Sequence, residues 1–207
     1  MHIDLSQLSP NQVYYTFIQS IVPRPVAWVL SDNGAEAPER WNLAPFSYFN
    51  GVSSNPPIVS LSIGRKPDGS IKDTALNIQE RSHFVIHIPH AEQARDVTSS
   101  AGVLAHGESE LSLLNQDLIQ DPGQAMPRLQ SARVAFYCRR YQIIQIGNTP
   151  QNLILGLVDA LYLDDSIASQ DPAGRLTVDI RQLNPLSRLG GNDYGLLGSI
   201  ETVKRPG

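Results

Sequence analysis

Apolar and polar residues alternate in short runs along most of this chain. Ile58-Val59-Ser60-Leu61-Ser62-Ile63 is the clearest case: Val59, Leu61 and Ile63 fall on one face of an extended strand, and Ile58, Ser60 and Ser62 on the other. The first face is dry and the second carries two hydroxyls. Similar runs predict strands over residues 42–48, 83–89, 133–146 and 152–163, the last two joined by Gly147-Asn148-Thr149-Pro150. The run Pro25-Val26-Ala27-Trp28-Val29-Leu30, ended by Asp32-Asn33-Gly34, predicts a further strand and a turn.

Helices are fewer. Ser9-Pro10-Asn11-Gln12 is a capping box, with Ser9 at the N-cap, Pro10 at the first helical position and Gln12 reaching back. The helix it opens carries Val13, Phe17 and Ile21 on one side and stops before Pro23. A second helix is predicted over residues 73–81, helix plus loop over 91–116, and a loop over 164–175. There is no internal repeat and no low-complexity linker. Many short strands without a β-helix-β rhythm favour a β-barrel with added helices over a doubly wound sheet. The whole chain, residues 1–207, reads as a single domain.

Composition narrows the function. A hydrophobic content of 41% with 17% charged residues fits a globular protein. A net charge of −4, with no basic stripe interleaved with aromatics, argues against nucleic acid as a partner. No apolar stretch reaches bilayer length, and MHIDLSQLSPNQ has neither the basic nor the apolar part of a secretory signal. The one cysteine, Cys138, excludes an internal disulfide and fits a reducing compartment, so a cytoplasmic location without membrane attachment is expected.

Protein-borne chemistry finds little support. His83 and His87 face the same way on a strand, but about 13 Å apart, too far to share one zinc. His90 and His106 fall in less regular segments and read as surface residues. No H-E-x-x-H, paired CxxC, EF-hand loop or G-x-S-x-G is present, so no metal and no protein nucleophile is expected. Cys138, inside Val134-Ala135-Phe136-Tyr137-Cys138, reads as a small core residue.

Two stretches stand out instead. Residues 41–64 contain no charged residue and no histidine, yet asparagines and serines are threaded through them. Residues 64–74, Gly-Arg-Lys-Pro-Asp-Gly-Ser-Ile-Lys-Asp-Thr, place Arg65 and Lys72 either side of a Pro67-Asp68-Gly69 turn and just ahead of a helix beginning near Asp73 or Thr74. Two cations, two hydroxyls and a helix N-terminus suit a phosphate. On residue types alone, a solvated hairpin with Asp73 or Thr74 capping the helix is the simpler reading.

Val22-Pro-Arg-Pro-Val-Ala-Trp28, Asn42-Leu-Ala-Pro-Phe-Ser-Tyr-Phe49, Ser53-Ser-Asn-Pro-Pro-Ile-Val59, Lys72-Asp-Thr-Ala-Leu-Asn-Ile78 and Arg188-Leu-Gly-Gly-Asn-Asp-Tyr194 occur in that order. Together they resemble the flavin reductase-like, FMN-binding split-barrel family that includes flavoredoxins, over roughly residues 10–200. The resemblance implies a mainly β fold, a closed antiparallel split β-barrel with peripheral helices. It further implies a homodimer with FMN near the subunit interface. Carried over, Asn42, Leu43, Ala44 and Ser47 lie along the isoalloxazine, where uncharged groups avoid biasing the ring. Ser60 and Ser62 are candidates for the ribityl chain or phosphate. Arg65, Lys72, Asp73 and Thr74 match the phosphate-binding segment, with Asn77 close by, and Arg24, Gly190 and Tyr194 lie near the flavin.

One position departs from the pattern. Related NAD(P)H:flavin reductases often carry Asp-His a few residues before the glycine of the late strand; before Gly156 this chain has Pro150-Gln151. Three functions therefore stay open: an FMN-dependent oxidoreductase of the flavin reductase type, a flavoredoxin-like carrier without a nicotinamide site, and a non-catalytic barrel. NAD(P)H or a redox partner would serve the first two.

Overall fold

The computed structural model describes residues 1–207 except 149, 205 and 207; Thr149 of the expected 147–150 linker thus lies outside the described residues. Among the described residues four α-helices, α1 (Pro10–Ser20), α2 (Asp73–Arg81), α3 (Ala94–Ser99) and α4 (Ile180–Leu183), accompany the strands. The strands are β1 (Arg24–Pro25), β2 (Ala27–Asp32), β3 (Trp41–Phe46), β4 (Phe49–Ser54), β5 (Pro57–Ile63), β6 (His83–His87), β7 (Leu118–Ile119), β8 (Arg128–Leu129), β9 (Val134–Ile146), β10 (Gln151–Leu163), β11 (Ala168–Gln170), β12 (Leu176–Val178), β13 (Ser187–Arg188) and β14 (Tyr194–Gly195). The fold is mainly β.

Seven strands form one antiparallel sheet in the order β3-β2-β6-β9-β10-β5-β4. Its outermost strands, β3 and β4, are joined by only Ser47 and Tyr48. A flat sheet would hold those edges about 29 Å apart, whereas a two-residue link spans about 11 Å at most. The sheet must therefore curl round on itself. One apolar cluster confirms it, because Ala27 and Val29 (β2), Phe46 (β3), Val59, Leu61 and Ile63 (β5), Phe84 and Ile86 (β6), Cys138 (β9) and Ile154 (β10) all meet inside, with Phe49 of β4 against them. Ala75 and Ile78 of α2 pack into the same interior. The expected closure is not made by hydrogen bonds, however: β3 and β4 do not pair with each other, and the barrel stays split along that seam.

The dry face of β5 expected from its alternation is the one that points inward. On β2, β6 and β9 the outward face is buried too. Trp28, Leu30, Val85, Leu129, Ala135 and Tyr137 form a second cluster beneath α3 and the 91–132 segment. This is why residues 25–30 read as a continuous apolar run rather than an alternating one. His87 lies in that layer, accepting the Leu129 N–H at Nε2 (3.1 Å) and bonding the Trp28 carbonyl through Nδ1 (2.9 Å). Burial pushes its pKa down to about 4, so it is a neutral crosslink between strands.

The capping box of α1 forms as expected, with Ser9 Oγ accepting from Gln12 N and Gln12 Oε1 from Ser9 N. Its apolar side does not enter the core: Tyr14, Tyr15, Phe17 and Ile21 stay 40–54% exposed. One strand was not anticipated, and two expectations need correction. Residues 49–54, Phe-Asn-Gly-Val-Ser-Ser, form strand β4, held by pairing with β5 rather than by an apolar pattern. The 164–175 segment is not wholly loop, since β11 lies within it and pairs with β12. His90 is buried, not a surface residue.

Candidate functional site

A cleft of about 730 Å³ opens at the seam. Its walls come from α1 (Val13, Tyr14, Phe17), the β3–β4 junction (Pro45, Phe46, Ser47, Tyr48), the β5–α2 loop (Gly64, Arg65, Lys72), α3 (Val97, Thr98) and the C-terminal segment (Arg188, Asn192, Tyr194). Gln151 and Ser62 complete it from β10 and β5.

The β5–α2 loop is built as its sequence demands. Gly69 takes a φ of +85°, Lys66 N donates to Ser70 O (2.9 Å), and Arg65 bridges Ile71. The turn thus sets Arg65 and Lys72 on one wall. Lys66 points elsewhere, to Asp73 (2.8 Å), whose second oxygen meets His106 Nδ1 (2.5 Å). Neither Arg65 nor Lys72 pairs with an acid among the described residues. Lys72 is half-buried, its Nζ 5.7 Å from the centre of the Phe46 ring. Burial, and then the neighbouring Lys66, lowers its pKa. Lys72 is also the N-cap of α2 and makes no side-chain cap, so the N–H groups opening that helix are not closed by a carboxylate or hydroxyl from it. A half-buried ammonium, a guanidinium and an open helix N-terminus are a donor set for a dianionic oxygen group.

The neutral stretch performs a different task. Ser47 Oγ accepts from Arg24 Nε (3.2 Å) at the cleft wall. Arg24 itself is 5% exposed and donates to the carbonyls of Ile18, Ile21 and Leu189. That one guanidinium ties the end of α1, the seam and the C-terminal segment together. It has no acidic partner among the described residues, so its charge is felt at Ser47.

Of the residues singled out from sequence, Ser47, Ser62, Arg65, Lys72 and Tyr194 are brought together at the cleft. Others are not. Asn42 donates to Ser31 Oγ (3.2 Å) and Thr74 Oγ1 (2.8 Å). Asn77 donates to Ser31 Oγ (3.1 Å) and Asn33 Oδ1 (2.8 Å), and accepts from Arg81 (2.9 Å). Asn42, Thr74 and Asn77, together with Ser31, form a buried polar network that fastens α2 to β2 and β3. Leu43 belongs to the outer core, Ala44 packs on the inner one, and Ser60 Oγ donates to Asn50 O (3.4 Å). Asp73 is spent on Lys66 and His106. Gly190 lies against α1, where a Cβ would come within 2.6 Å of Gln19 Cγ.

Glu110 was not anticipated. It is 6% exposed and its Oε2 accepts the Leu43 N–H (2.8 Å) on the free side of β3. Burial pushes its pKa up to about 7, against the hydrogen bond from Leu43. An acid whose folded pKa is raised holds its proton in the native state while the unfolded chain has lost it. Its contribution to stability therefore declines as pH climbs from about 4.5 to 7, by roughly 3 kcal/mol. Glu110→Gln keeps the acceptor and removes the titration. Its stability relative to wild type is expected to rise between pH 5 and pH 8 by roughly 2–3 kcal/mol. Urea unfolding at both pH values checks this; a difference independent of pH would show that the carboxyl is not held protonated.

A family model described as "Flavin reductase like domain" matches residues 19–183. The chain belongs to the flavin reductase-like family. An uncharacterized protein of Bacillus subtilis (strain 168), YwrF, is 35% identical over 206 residues, covering 97% of this chain and 96% of that one. Among solved structures, nitrilotriacetate monooxygenase component B from Bacillus cereus is similar at 31% identity, TM-score 0.86, over 98% of each chain. Pseudomonas fluorescens 2-nitrobenzoate 2-nitroreductase NbaA is similar at 27% identity, TM-score 0.85, over 100% of this chain and 96% of that one. These likenesses extend past the family model at both ends, so α1 and the C-terminal wall of the cleft lie within the shared fold. In this flavin reductase-like chain no helix among the described residues is long and apolar enough to cross a membrane.

Proposed function

We propose that this chain is an FMN-dependent oxidoreductase of the flavin reductase type. The observation that carries the reading is the pairing of two acid-free cations, Arg65 and Lys72, with an uncharged wall, residues 45–48, in one cleft at the start of α2. FMN has that division of chemistry: a phosphate at one end and an uncharged ring at the other. Gly64 adds room, since a Cβ there would meet the Gln151 amide at 3.1 Å. When bound, FMN supplies reversible two-electron redox chemistry at its ring.

The protein's own part is binding, orientation and electrostatics. Arg65 and Lys72 hold the phosphate, and Ser62 and Ser47 offer hydroxyls along the wall. Arg24, buried behind Ser47, favours whatever negative charge develops on that side. No aspartate, glutamate or histidine lines the cleft among the described residues. Tyrosine hydroxyls of the cleft wall are then proton-bearing groups within reach, and burial raises the pKa of Tyr48 further above its ordinary value. The exposed apolar side of α1 adjoins the cleft and supports a homodimer with the site near its interface.

A second reading, the flavoredoxin-like carrier, is favoured by one position. Gln151 of β10 lines the cleft in the segment where related NAD(P)H-dependent reductases carry histidine. Electrons would then come from a redox partner.

The test is a titration with FMN and with riboflavin, followed by anaerobic stopped-flow mixing with NADH or NADPH. FMN is expected to bind at least about tenfold tighter than riboflavin, because each charge-assisted hydrogen bond to the phosphate contributes about 1.5–3 kcal/mol. Rapid bleaching by NADH or NADPH supports the reductase, and an inert but tightly held FMN supports the carrier. A protein that takes up no flavin, or light scattering that shows a monomer with bound FMN, would contradict the cofactor or the interface reading respectively.

A further inference from the structure

We propose that Arg188, stacked on Tyr194, recognises the anionic group of a second ligand whose body is a planar ring; this rests on the flavin reading above. The argument starts from charge. In a chain of net charge −4, the cleft is lined by three cations, Arg65, Lys72 and Arg188, and by no acidic side chain among the described residues. Arg65 and Lys72 share the β5–α2 loop, while Arg188 stands on β13. A phosphomonoester carries a charge of about −1.5 to −2 near neutrality. The two loop cations match it. The charge of Arg188 is left unanswered, and one further anion would answer it.

Geometry agrees. The Arg188 guanidinium carbon lies 4.6 Å from the centre of the Tyr194 ring, and Nη2 donates to Gly191 O (2.7 Å). Arginine has five N–H donors, so a fork remains for a carboxylate or phosphate. Tyr194 is fixed in turn. Its hydroxyl lies 3.0 Å from Thr98 Oγ1, which donates to Ala94 O (2.8 Å) on α3. A guanidinium laid on a ring that is itself pinned is organised before any ligand arrives. Val13, Phe17 and Val97 line the same cleft and suit the flat, apolar body of an aromatic ligand. An aromatic carboxylate and a nicotinamide dinucleotide both answer to this description.

The experiment is calorimetric titration with benzoate, benzamide and NAD⁺, on protein with and without FMN, for wild type, Arg188→Gln and Arg188→Lys. Benzoate is expected to bind about tenfold or more tightly than benzamide, and Arg188→Gln to remove that preference. Arg188→Lys keeps the charge without the fork, and is expected to retain part of it. FMN affinity should stay within about twofold in both variants, because the phosphate cations are elsewhere. If NAD⁺ rather than benzoate shows the Arg188 dependence, the anion comes from the dinucleotide. Equal binding of benzoate and benzamide together with NAD⁺ binding indifferent to Arg188 overturns the proposal. Arg188-dependent benzoate binding by a protein that takes up no FMN would sink the flavin reading and leave this subsite standing.

Discussion

Replacing Lys72 with alanine is expected to weaken FMN binding by about ten- to a hundredfold and to leave riboflavin binding unchanged. Riboflavin lacks the phosphate, so the lost contact has no counterpart in that ligand. The size of the effect follows from the setting of Lys72. Its ammonium is half-buried, it has no acidic partner among the described residues, and burial lowers its pKa. An anion in the cleft relieves that cost directly. Salt should erode the FMN preference only in part, because a half-buried pair is screened less than an exposed one. Paired titrations on wild type and Lys72→Ala measure both affinities. Equal losses for the two ligands would mean that Lys72 supports the loop, as a solvated hairpin would require, and does not hold phosphate.

Trp28→Ala is the substitution expected to cost most in stability, about 3–5 kcal/mol. Trp28 is fully buried in the outer core, and its Nε1 donates to Ser100 Oγ (2.8 Å) at the end of α3. Removing it leaves a cavity and frees the helix that carries Thr98 to the cleft. Domains of this size are stable by only about 5–15 kcal/mol, so a large part of the margin would go. Trp28→Phe keeps most of the apolar volume and loses the hydrogen bond, so it should cost far less. Urea midpoints for the two variants decide the matter. A small loss in Trp28→Ala would mean that the 91–132 segment can collapse into the gap.

What could be foreseen from the sequence was local. The α1 capping box spans four residues, and the Pro67-Asp68-Gly69 turn three, so each is written within its own short stretch. The alternation of β5 told its inner face from its outer one for the same reason. Strand β4 escaped because Phe-Asn-Gly-Val-Ser-Ser has little strand propensity and owes its shape to β5. The network of Asn42, Thr74 and Asn77 joins positions more than thirty residues apart through Ser31, and residue types alone do not say whether an asparagine faces a ligand or another asparagine. Arg188 lay inside a quoted motif, yet its place in the cleft depends on the β13–β14 pairing and on Thr98, ninety-six residues from Tyr194. Glu110 carried no signal, since its partner is a backbone N–H on a strand edge.

The unpaired seam between β3 and β4 bears on how such a cleft can diversify. Along it, β3 and β4 do not spend their main-chain groups on each other, and every residue type except proline supplies the same donor and acceptor. A ligand read there by peptide groups places little demand on side-chain identity. If the ring of the proposed cofactor lies there, substitutions within residues 45–48 would retune shape and polarity around it while contacts to peptide groups persist. The cations proposed to discriminate between ligands sit on separate segments, the β5–α2 loop and β13, so that each could change without disturbing the other. On that reading the ring and the anionic groups are met by different parts of the chain, which would leave one scaffold free to acquire new substrates.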